Sequence, residues 1–92
     1  MLPLGTIVPA ALVELLRATP LSEGKVTFAW RNAVGPALDR STSVRLEGRV
    51  LIVDADGPQW KGEIERSQDV ILRRLRALLG SNTVRRLDVR TR

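Results

Sequence analysis

Nine cationic side chains crowd the last third of the sequence: Lys61, Arg66, Arg73, Arg74, Arg76, Arg85, Arg86, Arg90 and Arg92. Residues 61–92 set these nine against four carboxylates, whereas residues 1–60 hold six of each sign and cancel. The whole net charge of +5 therefore lies in one segment. Thirteen of the fifteen cations are arginine. Its planar fork of donors suits two-point contacts with phosphate or carboxylate better than the point charge of lysine does. An acidic partner is implied, and nucleic acid is the commonest one. Arginine contacts to phosphate give affinity without sequence choice. The competing reading is a solvated face whose arginines only offset the dipole at a helix C-terminus. Base stacking has little support, because Phe28, Trp30 and Trp60 are the only aromatic residues.

Other chemistry is excluded by what the chain lacks. It has no cysteine and no histidine. Disulfides, thiol nucleophiles, zinc held by either residue and the commonest general base are therefore ruled out. No aspartate-rich loop ending in glutamate appears, so no calcium hand is expected, and no cofactor is implied. Asp54 and Asp56 sit at a strand end before a helix, a place where α/β active sites often lie. With no histidine, cysteine, lysine partner or phosphate loop beside them they read as turn and capping residues, and the chain reads as a non-enzyme. Absent cysteine fits the reducing cytoplasm. Met1 to Ala18 has neither a positive start nor a run long enough to span a bilayer, so it reads as neither signal peptide nor anchor.

The elements that must position the cations follow from periodicity. Asp56-Gly-Pro-Gln-Trp60 through Leu79-Gly80 reads as one helix of about 35 Å, at roughly 1.5 Å per residue. Pro58 suits its first turn and Gly80 its end, in a left-handed conformation. Trp60, Ile64, Ser67, Ile71, Leu75 and Leu78 line one side, widened by Leu72 and Leu79. Arg66 and Arg73 fall opposite, flanked by Arg74 and Arg76. Earlier, Thr6 or a neighbour caps a short helix with Ala11, Leu12, Leu15 and Leu16 as its apolar stripe, ended by Thr19-Pro20. Ser22 caps a second helix, Leu21 staples onto Val26, and Val26, Ala29, Trp30, Ala33 and Ala37 share a face. Gly35-Pro36 should kink or interrupt it.

After Arg40-Ser-Thr-Ser43 the period becomes two. Val44 and Leu46 point one way, and Ser43, Arg45 and Glu47 the other. Glu47-Gly48 marks a tight turn. Arg49 to Ala55 is apolar at most positions and reads as a central strand. Asn82 to Arg90 alternates again, although Val84 and Leu87 are out of phase. The expected fold is α+β: a single domain over 1–92, in the order α-α-β-β-α-β. The helices form one layer over a three-stranded mixed sheet, with strand three parallel to strand two. Trp30 and Trp60 are the expected core anchors rather than stacking platforms.

Trp30-Arg-Asn-Ala-Val34-Gly35, Leu46-Glu-Gly48, Leu51-Ile-Val53, Trp60, the arginine-rich helix ending at Leu79-Gly80, and Val84-Arg-Arg-Leu-Asp-Val-Arg90 occur in an order that resembles the DciA-like family. The likeness covers roughly residues 26–92. It implies a fold like the type II KH domain and a bacterial role in DNA replication, assisting the replicative helicase onto DNA and binding DNA directly. No Gly-x-x-Gly occurs, so the backbone clamp of true KH domains is missing and KH-like describes shape alone. Family members carry a disordered extension implicated in helicase contact. With the sequence stopping at Arg92, weak or DNA-dependent helicase binding is expected. The alternative is a protein-interaction module whose arginines meet an acidic protein surface, with Val50 and Ile52, where they face away from the helices, offering an edge-to-edge or face-to-face docking patch or a homodimer contact.

Overall fold

The structure, a computed structural model, describes residues 9–92. Capping by Thr6 lies outside them. The first helix, α1 (Ala10–Ala18), turns Leu12 and Val13 inward, with Val13 against the core. Of the expected stripe, Leu12 is turned in, Ala11 and Leu15 are exposed, and the Leu16 side chain lies outside what is described. The second helix, α2 (Glu23–Val34), starts as its sequence demands: Ser22 Oγ accepts the Lys25 N–H at 3.1 Å. Leu21 stays exposed before that cap, so the staple onto Val26 is loose at best. Gly35, at φ 88°, stops α2, and Pro36 opens the short α3 (Pro36–Arg40). Of the kink or interruption expected at Gly35-Pro36, the structure shows the interruption.

Strands β1 (Thr42–Glu47) and β2 (Val50–Ala55) form an antiparallel hairpin in which Glu47 pairs with Val50. Gly48 takes φ 62° and no non-glycine residue has positive φ among those described. Positive φ at the first central position alone is the sign pattern of a type II′ turn, which suits the twist of a two-residue hairpin. The next segment departs from expectation. In place of one long helix there are two, α4 (Pro58–Arg66) and α5 (Gln68–Leu79), broken at Ser67 with φ −101° and ψ 9°. No proline or glycine forces this. α4 packs on β2 and β3, and α5 packs on α2, α1 and β3. Gly80 then ends α5 with φ 100° and ψ 155°, which is glycine territory but outside the left-handed helical region expected.

Strand β3 (Arg86–Thr91) is shorter than the alternation suggested and lies parallel to β2, giving the order β1-β2-β3. Val84 precedes the strand and is buried, which explains why it and Leu87 are out of phase. The helices cover one sheet face. Ile64, Ile71, Leu72, Leu75, Leu78 and Leu79 form the helical side of the core, as the stripe required, against Leu51, Val53, Ala55 and Leu87. Trp30 is 1% exposed, and its Nε1–H donates to Thr42 Oγ1 at 2.9 Å. Trp60 is only partly buried and packs at the margin, so it is a lesser anchor than Trp30.

The opposite sheet face is open, and Val50 and Ile52 lie on it, facing away from the helices. Ile52 is 4% exposed there, flanked in register by Arg45 and Asp88, and Val50 is half-buried. Three cations (Arg45, Arg86, Arg90) and three carboxylates (Glu47, Asp54, Asp88) surround them on that face. Arg45 binds Glu47 at 2.7 Å and Asp54 at 3.2 Å, and Arg90 binds Asp88 at 2.8 Å. The Arg90 guanidinium, with help from Arg86 and Arg45, holds the Asp88 carboxyl below its usual range.

Candidate nucleic-acid interface

The nine sequence candidates are not one surface. Arg66 is tied to Glu63 at 2.7 Å on α4. Arg90 is neutralised by Asp88 within the open-face lattice, and the contact raises its own pKa. Arg92 binds Asp56 at 2.8 Å and donates to Ser43 Oγ at 3.1 Å. Arg74, half-buried, donates to the Ala33 carbonyl at 3.2 Å and so bolts α5 to the end of α2. Lys61 is half-buried on α4. These five are dispersed, and four of them have structural partners.

Three of the remaining four, Arg76, Arg85 and Arg86, come together with one that the sequence reading missed. Arg76 sits in the last turn of α5, where a cation offsets the helix dipole. Its guanidinium reaches across to the Val84 carbonyl at 3.4 Å and the Arg85 carbonyl at 3.2 Å. The Arg85 N–H in turn donates to the Arg49 carbonyl at 2.7 Å. Arg86 opens β3 beside Val50. Arg49, Arg76, Arg85 and Arg86 are thus linked by main-chain hydrogen bonds at the hairpin-turn end of the sheet. Arg73 lies three residues before Arg76 on the same helix.

Among the described residues, the side chains of Arg49, Arg73, Arg85 and Arg86 make no hydrogen bond or ion pair, and all four are exposed. An exposed guanidinium with no internal partner keeps all its donors for an external anion. The nearest carboxylates, Glu47 and Asp88, are engaged by Arg45 and Arg90. Arg76 serves differently: it spends its donors on the loop and holds the cluster in shape.

Arg49 escaped notice because it reads as the first residue of a strand. Only the parallel pairing of β2 with β3 brings it to Arg85, thirty-six positions along the chain. The signal available was the topology itself, since a strand three parallel to strand two must start beside the hairpin turn. No group of acidic residues that could hold a metal ion occurs among the described residues. No helix among them is long and apolar enough to cross a membrane.

A family model described as "Dna[CI] antecedent, DciA" matches residues 3–89, nearly the whole chain. No curated protein and no solved structure matches.

Proposed function

The chain belongs to the DciA family, and from that membership we propose that it is a non-enzymatic accessory protein of bacterial DNA replication, acting in the cytoplasm beside the replicative helicase. It binds DNA through the hairpin-turn end of its sheet. The observation that carries this reading is the group Arg49, Arg85 and Arg86, exposed and unpaired on a frame fixed by Arg76. The contacts are to phosphate. Exposed guanidinium groups offer charge but no device for reading base edges.

The test is a titration of labelled single- and double-stranded DNA at several salt concentrations. The variant is Arg49→Gln/Arg85→Gln/Arg86→Gln. The control, Arg31→Gln/Arg66→Gln/Arg92→Gln, removes equal charge from ion-paired positions. Loss of the three contacts should flatten the plot of log affinity against log salt by about 0.7–0.9 per contact, less for single strands than for duplex. Affinity for unrelated sequences should fall by similar factors. If both triple variants lose affinity and slope alike, bulk charge accounts for the binding and the arginine end is not the site.

A further inference from the structure

We propose that Arg76 and Thr83 are positioning residues for DNA binding. Together they clamp the loop between α5 and β3 so that Arg85 and Arg86 are held out to phosphate, and neither touches DNA itself. This rests on the DNA reading above and says how that surface is kept ready.

The loop, residues 80–85, opens with Gly80, Ser81, Asn82 and Thr83, residues that favour turns and leave the backbone many conformations. One shape is imposed from three directions. The Thr83 hydroxyl donates to the Leu79 carbonyl at 2.6 Å and folds the loop back on the last turn of α5. Val84 is 1% exposed and is anchored in the core. Arg76 closes the far side through the Val84 and Arg85 carbonyls.

The acceptors that Arg76 uses distinguish this clamp from ordinary helix capping. A cation in a last turn commonly serves the orphan carbonyls of its own helix. Here α5 is closed without it: the Gly80 N–H donates to the Arg76 carbonyl at 2.9 Å, and Thr83 serves Leu79. The guanidinium instead reaches carbonyls eight and nine residues ahead, with Nε on one and Nη2 on the next. Successive carbonyls suit the parallel donors along one edge of a guanidinium. The single nitrogen of a lysine does not span them in the same way.

Arg85 shows what the clamp achieves. Its N–H donates to the Arg49 carbonyl at 2.7 Å and its own carbonyl accepts from Arg76, so both main-chain groups are engaged while the side chain stays exposed. Arg86 follows directly as the first residue of β3. Were the loop free, DNA would have to order it on arrival, and that ordering cost would be subtracted from affinity. The clamp therefore strengthens binding without adding a phosphate contact.

The test uses three variants of the full chain, each confirmed as folded by thermal melt. Arg76→Lys keeps the charge and loses the fork, Arg76→Gln loses both, and Thr83→Val keeps the shape and alters no charge. They are titrated with labelled DNA at several salt concentrations beside Arg49→Gln/Arg85→Gln/Arg86→Gln and its charge control. Arg76→Lys and Thr83→Val should each bind about three- to tenfold more weakly, with the salt slope unchanged. Hydrogen exchange at the Arg85 amide should quicken at least severalfold in both, while the core amides of β2 keep their protection. Residues that only stabilise the fold would lower the melting temperature and leave the affinity of the folded protein as it was. Parent-like binding by Arg76→Lys, with about 0.7–0.9 of slope lost in Arg76→Gln, would make Arg76 a phosphate contact and overturn the clamp. Full affinity in Thr83→Val, or an Arg85 amide that exchanges at the parent's rate, would overturn it too. If the Arg49/Arg85/Arg86 variant binds as its charge control does, the DNA reading fails and the clamp falls with it. If that variant loses affinity and slope while the Arg76 and Thr83 variants do not, the clamp alone fails.

Discussion

At Thr42 a single hydroxyl serves two buried groups. It accepts the Trp30 indole N–H at 2.9 Å and donates to the Leu38 carbonyl at 2.7 Å. No buried side-chain polar atom among the described residues lacks a partner, and this relay is one reason. Leu38 O also receives the Ser41 N–H, so it has a second donor, whereas the indole has no other acceptor. Thr42→Val keeps the shape and leaves that N–H stranded, at a cost of about 1–3 kcal/mol. Urea unfolding should show this loss, and Trp30→Phe in the Thr42→Val background should recover part of it. Equal, additive losses in the two single variants and the double would mean that the bond contributes nothing. Nothing in the sequence pointed to this pair. A threonine next to a polar break looks like turn chemistry, and its role appears only when β1 is laid beside α2.

Between elements, the least obvious link is Lys25. It is 8% exposed, and its Nζ donates to the Thr19 carbonyl at 2.6 Å, just beyond the C-terminus of α1. A cation there satisfies an orphan carbonyl and opposes the helix dipole. Lys25→Met should keep the packing of the alkyl stem but release α1. Hydrogen exchange at α1 amides should quicken at least severalfold while the core amides of β2 keep their protection. Equal quickening at both would mean that α1 and the core open together. The amphipathic elements themselves were legible, because a period of 3.6 or 2 survives in the sequence whatever surrounds it. Ile64, Ile71, Leu75 and Leu78 are all buried as the stripe required. The break at Ser67 was not legible. Both helices keep contact with β3 while only α5 reaches α1 and α2, and no residue at the joint announces the break.

Over the whole molecule, the excess of positive charge was legible, but how the cations are partnered was not. Arg66, Arg90 and Arg92 are held in ion pairs, and Arg74 donates to the Ala33 carbonyl. Pairing of this kind depends on distances that composition does not hold. The arginine end also spans distant parts of the chain, with Arg49 on the hairpin turn and Arg85 and Arg86 entering β3. That feature has a kinetic and a thermodynamic consequence. The β1-β2 hairpin closes over two residues, whereas β3 reaches β2 only after both intervening helices, so its docking carries the larger loop-closure cost. The proposed DNA surface would therefore be completed only when the final strand docks, and an open chain would offer scattered cations in its place. DNA should then act as a ligand of the folded state alone, raising the melting temperature by an amount that grows with DNA concentration. Leu87→Ala, which loosens β3 from outside the surface, should lower apparent DNA affinity in step with the unfolded fraction and leave the salt slope unchanged. A melt indifferent to DNA would mean that the unfolded chain binds as well as the folded one. Otherwise a cell holding this protein near its stability limit would also be setting how much of it can reach DNA.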